Sequence, residues 1–447
     1  MTYGNAVDTL LGNPEKAIRR MAVPLIFSLL VSQINVLADR SWCSGLGVDA
    51  MAAIAVVTPI YLTITGLGAG LGVGASAVIS RMIGAGDRDR ASLSAVQATI
   101  FCIVFGCVLT PILLLTQTEL LRVLGAGEVL GIAVDYMTVY VIFSLFIMMN
   151  GVISGILNGQ GATLLSTVMM VVMAISNIIL DPVLIYGMDM GIRGASLATV
   201  ISVILSLLVG IYFMMGRRTY LSIGRSSVRY EREVMKDVTV AGIPQMFEYA
   251  IMWSMNAALN FIVIQCAGAE GLTIYSTPDN IVDFIVIPAM AIGSALVPVA
   301  SSALGQRDIV RMRRSFRYAL LLTGISVAVL IILAEVFSEQ ILFLFTYSGD
   351  MEALRPQIVH ALHIMAMYAI FFMFTPVCSG YLQAMKRPNY SVACALWRNF
   401  ILITFFILFS NNMGLEGIFW ALFFGHMVGA VTILTVAELT QRRVRLA

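Results

Sequence analysis

The strongest constraint on this chain is the length of its apolar runs. A helix needs about 20 mostly apolar residues to cross a bilayer. Only helices and closed barrels satisfy their own backbone polar groups there. Twelve runs reach that length, at roughly 16–44, 51–79, 93–115, 131–155, 163–186, 195–215, 238–265, 276–301, 316–336, 356–384, 391–410 and 415–440. Hydrophobic residues make up 59% of the 447 positions and charged residues only 12%. A soluble domain carries roughly 25% charged residues. A soluble core of this length could not bury so much apolar surface, so the excess faces lipid. The net charge of +2 gives no reason to expect a nucleic-acid partner.

Basic residues test the count, because cytoplasmic loops are enriched in Lys and Arg. One set of alternate loops and termini holds 22 of the 27 basic residues. It runs from Lys16, Arg19 and Arg20 through Arg81, Arg88 and Arg90 to Arg217, Arg218, Arg225, Arg229, Arg232 and Lys236. It continues with Arg307, Arg311, Arg313, Arg314 and Arg317, then Lys386 and Arg387, then Arg442, Arg443 and Arg445. The other set holds only Arg122, Arg193 and Arg355, while Arg40 and Arg398 fall within spans. A miscount by one helix would destroy this alternation. The expectation is a multi-pass protein of the cytoplasmic (inner) membrane with both termini inside. The polar stretch Met1 to Lys16 runs into a long span without a small-residue cleavage site, so no removable signal peptide is expected.

The most polar loop, 216–237, divides the spans six and six, and the halves repeat. Pro24 answers Pro244, Ser80 and Gly84 with Asp87 answer Ser301 and Gly305 with Asp308, and Ser154-Gly155 answers Ser379-Gly380. Gly191, Gly194 and Ala198 answer Gly414, Gly417 and Ala421, and all these offsets lie between 220 and 225. An even number of crossings gives both copies one orientation, so they should be related by an axis along the membrane normal. That arrangement is typical of transporters with a site between two lobes. The expected architecture is all-α integral membrane, with twelve transmembrane helices in two six-helix pseudo-symmetric lobes around a V-shaped cleft. Residues 1–215 form the N-terminal lobe, 216–237 the cytoplasmic inter-lobe loop, and 238–447 the C-terminal lobe.

Ionisable residues inside spans are costly and point to function. Asp39 in span 1 and Asp181 in span 5 both fall in the outer half. Asn177 precedes Asp181 by four residues and shares its helix face. Tyr136 begins span 4 and Thr199 begins span 6, both from outside. Two carboxylates, an amide, a hydroxyl and a phenol make an oxygen-rich set for a hard cation. Two such carboxylates in low dielectric do not easily both stay ionised, which suits a site for H⁺ or Na⁺. The bland alternative is that Asp39 pairs with Arg40 and Asp181 caps a helix end. Adjacent helical residues point about 100° apart, which strains that pairing.

In the second half, Glu248 in span 7 and Arg398 in span 11 share an inner-half depth, and a Glu248–Arg398 pair is expected. Asp283 in span 8 is its rival partner or a substrate counter-ion. His360-x-x-His363 could share a metal, but no acidic residue nearby in sequence completes a ligand set, so two ordinary polar residues are expected. The alternating glycines Gly66 to Gly74 sit inside an apolar span, where close helix packing is the better reading than a phosphate loop. Prolines in or beside spans, among them Pro24, Pro59, Pro111 and Pro182, mark kinks and hinges. The 27 methionines read first as lipid-facing or core residues and second as an adaptable ligand surface. None of the six cysteines forms a CxxC pair, so neither a disulfide framework nor a zinc site is expected.

These residues resemble the multidrug and toxic compound extrusion (MATE) family across essentially the whole chain. The opening AVPLIFSLLVSQINVLADRSWCSGLG is similar to the family's first span, with its Asp at Asp39. GLGVGASAVISRMIGAGDRDRA from Gly70, SGILNGQGAT from Ser154 and DPVLIYGMDMGIRGASLATVIS from Asp181 match further stretches. The resemblance is to prokaryotic members with an N-lobe cation site. It places that site on Asp39, Asn177, Asp181, Thr199 and Tyr136, with Tyr140 the rival phenol. Arg398 matches a span 11 Arg of similar members. Arg40 departs from the family, standing where a small polar residue is usual. The other subgroup's span 10 acid is absent from FTPVCSGYLQ, which argues against a C-lobe cation site.

The resemblance implies an H⁺- or Na⁺-coupled antiporter that exports amphipathic, often cationic, organic compounds. It implies no cofactor and no metal beyond Na⁺ at that site. It also implies no enzymatic activity, and twelve spans make a self-sufficient monomer. The alternative is a flippase for lipid-linked saccharides of the same superfamily. Its pyrophosphate substrates would want a strongly cationic centre, whereas the in-membrane cations are only Arg40 and Arg398. A membrane enzyme would need a nucleophile–base set or a metal centre, and neither is evident.

Overall fold

The computed structural model describes residues 3–215, 219–222, 229–343, 345–346 and 350–443. Arg217, Arg218, Arg225 and Arg445, counted above toward the basic side, lie outside the described residues, as does part of the expected loop 216–237. The described residues are almost entirely helical. After a short α1 (Tyr3–Leu11), span 1 is α2 (Pro14–Ser44), span 2 is α3 (Val48–Gly84) and span 3 is α4 (Arg88–Val123). Span 4 is a pair, α5 (Leu130–Ile142) and α6 (Ser144–Gly159), bent by 51° rather than the single helix expected. Span 5 is α7 (Thr163–Pro182), and span 6 is α8 (Gly191–Met215). α9 (Arg232–Gly305) holds spans 7 and 8, α10 (Ile309–Val336) is span 9, and α11 (Ser338–Phe343) is a short connector. α12 (Asp350–Phe372) and α13 (Phe374–Ala384) make span 10, and α14 (Pro388–Arg443) holds spans 11 and 12.

Sequence chemistry sets these ends. Asn13 caps α2, its side-chain oxygen accepting from the Glu15 amide at 2.9 Å, with Pro14 opening the helix. Asp87 and Asp308, partners in the repeat, cap α4 and α10 by accepting from Arg90 and Arg311 amides at 2.9 and 2.8 Å. The two longest helices reverse at single glycines, Gly268 (φ +66°) and Gly414 (φ +63°). Only a residue without Cβ takes that left-handed backbone cheaply. Their repeat partners Gly47 and Gly191 make the matching turns in the first lobe. Span 7 starts at Arg232, so helix already occupies the end of the segment expected to be loop.

Small residues let the helices approach. A methyl added at Gly70 would lie 2.6 Å from the Met246 backbone nitrogen, so span 2 packs directly on span 7. The intervening glycines Gly68 and Gly72 turn the other way, onto Met148 and Gly151 of span 4. The glycine stripe is therefore a packing device on two faces, and span 2 is the spine joining the lobes. The second lobe repeats the contact, with Gly293 of span 8 against Pro376 and Gly380 of span 10.

At the basic end the lobes close on each other. Gly84, ending span 2, lies on the Ser302 carbonyl, and its repeat partner Gly305 lies on the Arg81 carbonyl. α1 adds a latch, its Leu10 carbonyl accepting from the Arg311 guanidinium at 2.5 Å, and Glu15 in the first turn of α2 pairs with Arg314 at 2.9 Å.

Candidate functional site

Spans 1 and 5 bring the first two carboxylates together near the end opposite the basic loops. Asp39 is half-buried on α2, and the Cys43 thiol points at its Oδ1 from one turn later, at 3.9 Å. Asp181 is fully buried at 0% exposure, directly before Pro182. Proline has no N–H and crowds the carbonyl four residues back, so the α-helix cannot continue regularly. The chain passes instead into a π turn, Val183–Gly187, a wide turn often found beside functional groups.

An amide relay joins the two helices. Asn35 Nδ2 donates to Asn177 Oδ1 at 2.9 Å, and Asn177 Nδ2 donates to Asp181 Oδ1 at 2.9 Å. The relay leaves Asp181 Oδ2 and Asn35 Oδ1 buried without a partner. A buried orphan acceptor costs about 1–3 kcal/mol. A proton or a hard cation is the kind of group that satisfies such oxygens.

Asp39 lies within electrostatic range of Asp181, Tyr61, Tyr136 and Tyr140. The two phenols are joined, Tyr140 OH donating to Tyr136 OH at 2.9 Å, and Tyr61 packs on Tyr140 with ring centroids 4.6 Å apart. The Thr199 hydroxyl stands beside the Tyr140 phenol and donates to the Ala195 carbonyl at 3.2 Å. The five residues singled out by depth are thus neighbours. Tyr136 and its rival Tyr140 thus stand side by side in one hydroxyl chain. Sequence reasoning missed Asn35 and Tyr61. Asn35 stands four residues before Asp39, the same spacing that drew attention to Asn177.

In the second lobe the expected Glu248–Arg398 ion pair is not formed. Glu248 accepts from Ser379 at 2.9 Å and from Ser391 at 2.8 Å, while Arg398 donates to Thr375 at 3.2 Å and to Asn399 at 3.4 Å. Both face one small cavity of about 80 Å³, also lined by Met252 and Met290, and interact there only at a distance. Azimuth around the helices separates the two groups although both line that cavity. Asp283 does not serve as the rival partner either. It lies within electrostatic range of Asp279, four residues earlier, whose Oδ1 accepts from Tyr368 OH at 3.0 Å. Arg40, from the first lobe, acts electrostatically on both Asp39 and Asp283. The odd arginine beside the N-lobe site is therefore also a charge between lobes.

His360 and His363 diverge to separate acids supplied by distant sequence, His360 to Glu416 at 3.8 Å and His363 to Glu335. They share no ligand. Among the described residues no group of three or more His, Cys, Asp or Glu could hold a metal ion.

The sequence profile of the MatE family matches residues 24–183 and 244–409, one segment in each half. The multidrug export protein MepA of Staphylococcus saprophyticus is 23% identical over 431 residues, 96% of this chain and 94% of that protein. Among solved structures, a MATE in complex with MaL6 superposes with a TM-score of 0.94 at 28% identity, covering 98% of each chain. A multidrug resistance MATE family transporter of the MOP superfamily, in an outward-facing conformation, superposes with a TM-score of 0.93 at 28% identity, covering 99% of each.

Proposed function

The chain belongs to the MatE family, and from that membership we propose that it is a cation-coupled antiporter exporting amphipathic or cationic organic compounds. The observation that carries the coupling is the fully buried Asp181 with its unsatisfied Oδ2, linked through Asn177 and Asn35 to the helix bearing Asp39. H⁺ or Na⁺ entering from outside binds between Asp39, Asp181 and Asn177, bounded by Tyr136 and Thr199. Neutralising the site changes what the low-dielectric interior tolerates, so spans 1 and 5 repack around Pro24 and Pro182. A ligand shifts such an equilibrium only by its differential affinity for the two states. The two orphan oxygens are where that differential affinity arises.

Residues 1–215 and 238–447 act as lobes joined by 216–237, and both termini lie on the cytoplasmic side of the inner membrane. The protein works as a monomer and needs no cofactor. Substrate occupies the space between lobes, where Asp283 offers a counter-charge to cations. One monovalent cation moving inward across 100 mV supplies about 2.3 kcal/mol, enough for about a fiftyfold gradient of a neutral compound. A flippase for pyrophosphate-linked sugars would want a cationic centre, and the cavity beside Glu248 holds one cation, Arg398.

Efflux of a fluorescent organic cation from proteoliposomes, under an imposed ΔpH and a Na⁺ gradient separately, tests this reading. Export is expected under one gradient and not in Asp39→Asn. Driven export that survives in Asp39→Asn would overturn the coupling role.

A further inference from the structure

The basic end holds an open cavity of about 1170 Å³ whose walls come from both lobes. Six cations line it: Arg81, Arg90, Arg307, Lys386, Arg387 and Arg443. Their acidic partners are few. Arg81 pairs with Asp237 at 3.0 Å, and Arg90 with Glu231 at 3.5 Å and Asp87 at 3.8 Å. Among the described residues the other four make no ion pair, although Asp237 also acts on Lys386 at a distance. Arg81 is only 7% exposed, and its Nε is buried without an acceptor. The neighbouring Arg81 charge, aided by burial, pushes the Lys386 amine below the usual lysine range. Such a concentration of like charge calls for an anion.

The repeat gives a second, independent sign. Tight turns after spans 2 and 4 use Gly86 (φ +78°) and Gly161 (φ +76°). The corresponding turns after spans 8 and 10 keep the left-handed backbone but place Arg307 (φ +59°) and Lys386 (φ +60°) there. Left-handed backbone is strained for a residue with a Cβ. Where the first lobe uses glycine, the second accepts strain at two positions and gains two cavity-lining cations. Retained strain of this kind marks functional positions.

We propose that this cavity binds the phosphate headgroup of an anionic phospholipid, gripped between the lobes. The lipid source follows from the rest of the lining: Met82, Ile309, Val436 and Leu439 give an apolar wall beside the cations, and Leu439 is 49% exposed. An acyl chain lies along that wall while its phosphate meets the charges. The site adjoins the contact of Gly84 with Ser302 and of Gly305 with Arg81, and draws its cations from both lobes. A bound headgroup therefore bridges the closure and favours the state in which the basic end is shut.

The test uses the full-length protein in a neutral detergent, titrated with short-chain phosphatidylglycerol, short-chain phosphatidylcholine or inorganic phosphate. Binding is read by native mass spectrometry and by the shift in unfolding temperature. The informative variant is Arg307→Gly with Lys386→Gly, because glycine suits both turns and leaves the fold intact. Each Lys or Arg beside an anionic headgroup contributes about fivefold to affinity, so losing two predicts about thirtyfold weaker phosphatidylglycerol binding. The expected result is saturable phosphatidylglycerol binding that this variant weakens, with little binding of phosphatidylcholine. Absence of binding, or equal affinity in the variant, would overturn the site. Inorganic phosphate binding as tightly as the lipid would overturn the lipid assignment.

Discussion

Closure of the basic end rests on two glycines, so Gly84→Ala and Gly305→Ala should open it. A methyl at Gly84 would overlap the Ser302 carbonyl oxygen and lie 2.8 Å from its carbon. A methyl at Gly305 would overlap the Arg81 carbonyl oxygen and lie 3.0 Å from the Ala85 nitrogen. Carbon contacts are comfortable at about 3.5–4.0 Å, so spans 2 and 8 must part by about 1 Å. Overpacking of this sort costs about 1–3 kcal/mol. If parting the lobes relieves it, the ratio of closed to open molecules falls by about 5- to 150-fold for either substitution. The contacts are adjacent and relieved by one motion, so the second substitution should cost little after the first. The expected signature is therefore a strongly non-additive double-mutant cycle. Spin labels at Asp89→Cys and Val310→Cys, with Cys107 and Cys266 replaced, report the separation of the two lobes by pulsed electron resonance. A longer distance should appear in each single variant and grow little in the double. An unchanged distance with additive losses of stability would refute the idea that these glycines set the closure.

Other expectations follow from the same geometry. Ser379→Ala and Ser391→Ala each remove a hydroxyl bond to the half-buried Glu248, and should cost about 1.5–3 kcal/mol in chemical unfolding. A Glu248→Gln/Arg398→Gln cycle should be additive to within about 0.5 kcal/mol, and a coupling well above that would restore a direct pair. Asn35→Ala removes the donor to Asn177 at the head of the relay. It should weaken half-saturation by the driving ion about tenfold while leaving substrate affinity unchanged, as read in transport titrations. Lys386→Gly should raise stability in neutral detergent by about 1 kcal/mol, by relieving left-handed strain. It also removes a charge beside Arg81. Because the folded protein holds that lysine proton less tightly, the charge penalty is present at neutral pH. The penalty fades as pH rises through the lowered value. In anionic lipid the stabilisation by Lys386→Gly should shrink or reverse, and a gain of equal size in both lipids would contradict this account.

How far the sequence could be read depended on which constraints are local. Lipid forces each crossing segment to satisfy its own backbone, so apolar length and loop charge were enough to find twelve spans and to separate the basic side. Turn glycines and capping aspartates act within a few residues, and the repeat of Gly191 with Gly414 and of Asp87 with Asp308 is visible as letters. Depth along a span follows from counting residues, which is why Asp39, Asn177, Asp181, Thr199 and Tyr136 group together on the sequence alone. Depth fixes only one of the two coordinates on a helix surface, however. Which way a side chain points around the axis depends on kinks, on bends such as that at Phe143, and on how deeply glycines let neighbours approach. Tertiary structure alone therefore decided that Glu248 turns to Ser379 and Ser391 rather than to Arg398, and that Asn35 heads the amide relay. The same holds for Arg40 acting across to Asp283, and for six cations from two lobes sharing one cavity. Each of these joins residues far apart in sequence, and no rule that acts within one helix could have paired them.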